Sequence, residues 1–186
     1  MDEFNYLAVF ISIILGLGLT QLLAGFARWL EQRGAYAAYA PSLCWAGVLL
    51  LMHVQTWWAL FELRRHADWT FAQFFLLLLQ PITLYLLATL ALPSTAAPAV
   101  DLRANYHAHR RWFFSLLLFL LAVSLLKDVV LMGSLPRPAN LAFHALFGAM
   151  ALTAVLTDRE RYHRAFGLVA SLGFVAYVTA LFARLQ

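Results

Sequence analysis

Six long apolar stretches fill this chain almost end to end, and no connection between them is long enough to hold a folded domain. They run near Phe4–Leu30, Pro41–Leu63, Phe71–Leu92, Trp112–Met132, Ala139–Leu156 and Phe166–Phe182. Each is close to the ~20 apolar residues that an α-helix needs to cross a ~30 Å hydrocarbon core. A spanning segment must satisfy its backbone hydrogen bonds internally, so helices or a closed barrel are the only choices. Barrel strands alternate apolar and polar residues, and the run Phe74-Phe75-Leu76-Leu77-Leu78-Leu79 does not. The reading is an all-α polytopic membrane protein with six transmembrane helices.

Charge agrees with this. Only 12% of residues are charged, against about 25% in soluble domains. The net charge of +4 needs no nucleic-acid partner, because basic loops are ordinary in membrane proteins. The start Met1-Asp2-Glu3 has no basic n-region, so the first stretch reads as a retained helix and not a signal peptide. The one cysteine, Cys44, excludes an intramolecular disulfide and a multi-cysteine metal site.

Orientation follows from counting cations. Arg64, Arg65, Lys127, Arg137 and Arg184 share one side; Arg28, Arg33, Arg103, Arg110, Arg111, Arg159, Arg161 and Arg164 share the other. The positive-inside rule then places both termini outside the cytoplasm. Beside span four, His107, Arg110 and Arg111 form a basic cluster suited to anionic lipid headgroups or to a plain cytoplasmic stop.

The chain reads as one transmembrane domain, 1–186. The polar, Pro/Ala-rich connection 93–102 separates halves 1–92 and 103–186 with three spans each. Odd-numbered halves lie in opposite orientations, which raises a 3+3 inverted repeat. A shift of 97 residues pairs Pro41 with Pro138 and Thr56 with Thr153, but the first and fourth spans match poorly.

In span one, Ser12, Gly16, Thr20 and Ala24 recur every four residues on one face. Small residues at this spacing let another helix approach closely, from the same chain or from a second protomer of a homo-oligomer. In span three, Pro81 removes a backbone donor and predicts a kink.

Polar residues inside spans are the main functional clue, because they are costly in hydrocarbon. At ~1.5 Å per residue, His53, Gln55, Gln80, His144 and Tyr177 fall in a band at or just outside the midplane. Lys127, Asp128, Asn140 and Glu62 fall above it, toward the outer face. This places a polar vestibule over a histidine floor, with Asp128 facing inward and Lys127 snorkelling outward. Trp57 shares a helix face with His53 and Thr56, as an aromatic wall or as packing.

No residue set argues for an enzyme. His-Glu-x-x-His and Gly-x-Ser-x-Gly are absent, and no Gly-rich phosphate loop precedes a basic helix. The function expected is a small transporter or channel-like protein with its polar site near the midplane. Two alternatives stand beside it. One is a structural or accessory membrane protein without transport. The other is a b-type haem protein using His53 and His144 as axial ligands; the cofactor is otherwise unknown.

The segments Ile11–Gly18, His53–Trp58, His109–Phe114 and Asn140–His144 resemble those of an uncharacterised family of small bacterial six-helix inner-membrane proteins. That resemblance implies a bacterial inner-membrane location. It implies no activity and no ligand.

Overall fold

The computed structural model describes residues 3–31, 38–65, 69–93, 101–133 and 136–181. Six long helices follow one another: α1 (Glu3–Glu31), α2 (Ala40–Ala59), α3 (Phe71–Ala91), α4 (Leu102–Met132), α5 (Pro138–Leu156) and α6 (Glu160–Leu181). A 3-10 helix, Leu60–Arg65, continues α2. There is no strand among the described residues. Most of the 93–102 connection, and Arg33 and Arg184 of the charge count, lie outside the described residues.

Local chemistry sets the helix ends. Thr70 and Gln73 make a reciprocal capping box at the start of α3, with Gln73 N–H donating to Thr70 Oγ1 at 3.3 Å and Thr70 N–H to Gln73 Oε1 at 3.0 Å. Asp101 accepts from Arg103 N–H at 2.8 Å and starts α4. Gly133, at φ 62°, closes α4 in the left-handed conformation, which costs a residue without Cβ little.

Five helices, all but α6, are long and apolar enough to cross a membrane. Helix α6, which carries the sixth expected span from Phe166, opens with the polar residues Glu160, Arg161, His163 and Arg164. The fourth helix begins ten residues before the expected span. With 31 residues it is roughly 46 Å long, so its first turns project beyond a ~30 Å core.

The centre is aromatic. Trp45 of α2 is 1% exposed and meets Phe113 and Phe114 of α4, Phe147 of α5 and Phe166 of α6, at centroid distances of 5.4, 5.3, 6.2 and 5.1 Å. These edge-on contacts fill the space between four helices. Helix α2 packs against α1, α3, α4 and α6, while α1 lies outside, in the groove of α2 and α3. Helices α1 and α3 run alongside each other, with Phe10 against Phe74, and α4 meets α6 through Phe114 and Phe166.

The face that α1 buries is not the small-residue stripe. Leu7, Ile11, Leu15, Gly18, Leu22 and Gly25 are buried; Gly16 and Thr20 are exposed, and Ser12 and Ala24 are half-buried. A Cβ on Gly16 would meet nothing within 4 Å, whereas one on Gly18 would lie 2.2 Å from His53 Nε2 and one on Gly25 2.7 Å from Leu92. The apolar seam decides which face turns inward, and glycine is needed only where bulky neighbours cross it. Thr20 is satisfied on the outside, donating to the Gly16 carbonyl at 2.8 Å. Within the chain, the close approach expected at Gly16 occurs at Gly18 and Gly25.

Candidate functional site

Polar side chains gather in two places, one at the α5–α6 end of the bundle and one toward the α2–α3 end. At the α5–α6 end, the projecting turns of α4 meet the start of α6. The Tyr106 hydroxyl donates to His163 Nδ1 at 3.0 Å, and His163 Nε2 lies 2.9 Å from the Thr157 carbonyl. A carbonyl only accepts, so the proton sits on Nε2, and Nδ1 accepts the hydrogen bond from the tyrosine hydroxyl. Arg110 donates to the carbonyls of Val155, at 3.3 Å, and Thr157, at 2.9 Å, and pairs with Asp158. It thereby caps carbonyls that α5 leaves without donors at its C-terminus. Glu160 joins Arg103 and, at 2.6 Å, Arg164. Burial pushes the His163 pKa below its ordinary value; the Thr157 carbonyl opposes this, and His107 and Arg110 add to it.

This arrangement corrects the lipid reading of His107, Arg110 and Arg111. Arg110 is 6% exposed and spends its donors inside the chain. His107 is half-buried, 3.3 Å from the Tyr39 hydroxyl. Only Arg111 is exposed.

Toward the α2–α3 end, three helices are joined by a row of hydrogen bonds. Lys127 Nζ of α4 donates to Gln80 Oε1 of α3 at 3.0 Å, and Gln80 Nε2 donates to Thr56 Oγ1 of α2 at 3.0 Å. Gln80 and Thr56 are buried. Lys127 therefore turns inward instead of snorkelling out, because a carboxamide oxygen stands within reach of its long stem. Asp128 is half-buried and Glu62 exposed, and both act electrostatically on Lys127 and on Tyr177. A small cavity beside the row is lined by Thr56, Gln80, Lys127, Leu77 and Pro81, among others. About 10 Å³ of it is open to a water-sized sphere, roughly the minimum for one water.

The other predicted residues stand apart from this row. Tyr177 donates to Asn140 Oδ1 at 3.0 Å and stacks on Phe143 with centroids 4.3 Å apart. His144, 7% exposed, uses Nδ1–H on the Asn140 carbonyl at 2.9 Å. His53, fully buried, uses Nδ1–H on the Leu49 carbonyl at 2.7 Å, and its Nε2 has no partner. Gln55 is half-buried, and none of the described hydrogen bonds reaches it. Trp57 is 58% exposed, so the aromatic wall beside His53 is not formed. The band expected near the midplane is thus three separate groups: Gln80 with Lys127 and Thr56, Tyr177 and His144 around Asn140, and His53 against Gly18.

No protein-family model, curated protein or solved structure matches this chain. Function has to be argued from the side chains themselves. The geometry does not fit a haem held between His53 and His144. His53 Nε2 abuts Gly18 of α1, and the helix carrying His144 does not reach α1. Among the described residues, no three His, Cys, Asp or Glu side chains converge as metal ligands.

Of the cluster at the α5–α6 end, His107 and Arg110 are expected from the sequence, as a lipid site, and Tyr106, Thr157, Asp158 and His163 are missed, although two signals point there. Tyr106 and His163 each stand in a polar, aromatic-rich stretch flanking an apolar one, and Thr157-Asp158 follows the last apolar residue of α5.

Proposed function

We propose that the chain is a six-span protein of a bacterial inner membrane, with both termini outside, that handles a small ion through a polar site in the outer half of its bundle. The multi-pass character rests on the five apolar helices. Helix α6 joins them as a sixth span because it packs along α2, and a helix lying beside a spanning one shares its depth. The eight-to-five excess of cations on the α5–α6 side supports a cytoplasmic placement of that end.

One observation carries the ion-handling reading: the ammonium, carboxamide and hydroxyl of Lys127, Gln80 and Thr56 are bonded in a row inside an apolar bundle. Ionisable groups inside a membrane bundle are costly and mark ion paths, proton relays or other functional sites. The cavity has room for about one water, so passage of an ion requires the helices to move apart. The small-residue stripe of α1, exposed at Gly16 and Thr20 and half-buried at Ser12 and Ala24, is the face on which a second protomer would pack.

A second reading, an accessory protein that transports nothing, is favoured by the filled aromatic centre around Trp45. Reconstituted vesicles separate the two. Flux of H⁺, Na⁺, K⁺ and Cl⁻ is followed with internal indicators for the native chain and for Lys127→Met and Gln80→Leu. The ion-handling reading expects flux of at least one ion, lowered tenfold or more in both variants while each still melts cooperatively. A native chain that moves none of the four would sink it in favour of the accessory reading.

A further inference from the structure

Lys127 is the only lysine in the chain; the other twelve cationic side chains are arginines. Its ammonium has three N–H donors, and one is used on Gln80 Oε1. Leu77 and Pro81 of α3 line the same cavity. Proline has no N–H, so the carbonyl four residues earlier, that of Leu77, lacks its helical donor inside α3. Spare donors and an undersupplied acceptor thus flank a space of about 10 Å³, and a water needs two to four polar partners to be held in such a space.

We propose that this cavity is a binding site for a single water, or another neutral hydrogen-bonding molecule no larger, which accepts from Lys127 Nζ and donates to the Leu77 carbonyl. Thr56 and the second lone pair of Gln80 Oε1 are within the same lining and complete its partners. An anion fits the site worse, because the carbonyl oxygens would face its charge. A metal cation fits worse, because the ammonium already stands there. The site does two things at once: it satisfies the acceptor freed by Pro81, and it ties the interrupted turn of α3 to α4. It exists whether or not the chain moves ions.

The sole lysine makes the test direct. In protein grown with ¹⁵N-lysine and held in lipid vesicles, the one Nζ signal should receive magnetisation from water. In Pro81→Ala, which restores an N–H to Leu77, that transfer should fall at least twofold although Lys127 remains. Transfer that is absent in the native chain, or equal in Pro81→Ala, overturns the proposal. Thermal melting of detergent-purified full-length chain gives a second measure. The Tm loss from Lys127→Met should be at least halved in the Pro81→Ala background, because the link between the two is already gone. Losses that simply add would overturn the link without bearing on ion flux.

Discussion

His53 and His163 are both fully buried, yet they are held in opposite ways. His163 is bonded through both ring nitrogens, to Tyr106 and to Thr157. His53 is bonded through one, to Leu49 in its own helix, and its other nitrogen is met by the bare backbone of Gly18. His163 is a fastener: it joins α4, the α5–α6 connection and α6 by hydrogen bonds. His53 joins α2 to α1 by shape, with a glycine making the room. Burial of a histidine in a membrane bundle therefore does not by itself mark a site. The number of its nitrogens that are spoken for, and what stands against the remainder, separates a fastener from a spacer.

The largest effect should come from spoiling the shape contact. Gly18→Leu adds a side chain whose Cβ alone would fall 2.2 Å from His53 Nε2. The Leu49 bond holds the ring, so it cannot swing aside cheaply. A loss on the order of 3 kcal/mol is expected, read as a drop in Tm of the detergent-purified chain. Combining it with His53→Ala should cost less than the sum of the two, because truncating the ring opens the space. Gly16→Leu, two residues away, should stay within roughly 0.5 kcal/mol of native, since nothing lies within 4 Å of that position. That holds for the single chain; in an assembled form, the second protomer proposed to cover the stripe would turn Gly16→Leu into a loss of assembly.

The same pair shows how much was legible in the sequence. Helix existence was, because length and apolar content set it. Rotation about the helix axis was not. Helix α1 is apolar all round, so counting small residues favoured the Gly16 face, while the seam through Ile11, Leu15 and Leu22 turned Gly18 inward. Lys127 and Asp128 posed the same problem one residue apart, and the choice fell to the location of Gln80, which only the packing of α3 against α4 fixes. The charged opening of α4 fell outside the span expected to begin at Trp112. It is helix, because Asp101 caps it and the start of α6 gives Tyr106, His107 and Arg110 something to pack on. Those partners are distant in sequence and leave no local pattern.

A middle-sized effect should come from loosening the fastener. Arg110→Met strips donors from the carbonyls of Val155 and Thr157 and leaves Asp158 without its partner. Hydrogen bonds from a charged donor are worth more than neutral ones, and a loss of about 2 kcal/mol is expected. Arg110→Lys should recover less than half of it. A single ammonium lacks the planar fork that reaches two carbonyls and a carboxylate together. Full recovery by lysine would mean that charge alone matters at this end, and the contrast between bonded and shape-held histidines would lose one of its supports.

The smallest effect expected is the part of the pH dependence that His163 contributes. The residue lies in the first turn of α6, ahead of the apolar stretch that begins at Phe166. Burial is the main reason that its pKa falls below the ordinary value near 6.5, with neighbouring His107 and Arg110 adding to the shift. The sign follows from proton counts. In the folded chain the ring stays neutral as pH drops past 6.5, whereas in the unfolded chain it takes up a proton, so the unfolded state gains. The stability contributed by neutral His163 is complete above about pH 6.5 and declines as pH falls toward the depressed folded value. Melting curves between about pH 5 and pH 8 should show Tm decreasing toward the acid side. In His163→Gln that slope should flatten, because glutamine keeps a hydrogen-bonding side chain and does not titrate. An equal slope in native and His163→Gln protein would assign the acid loss to the other histidines, and the Tyr106–His163–Thr157 bonds would then not hold the ring neutral.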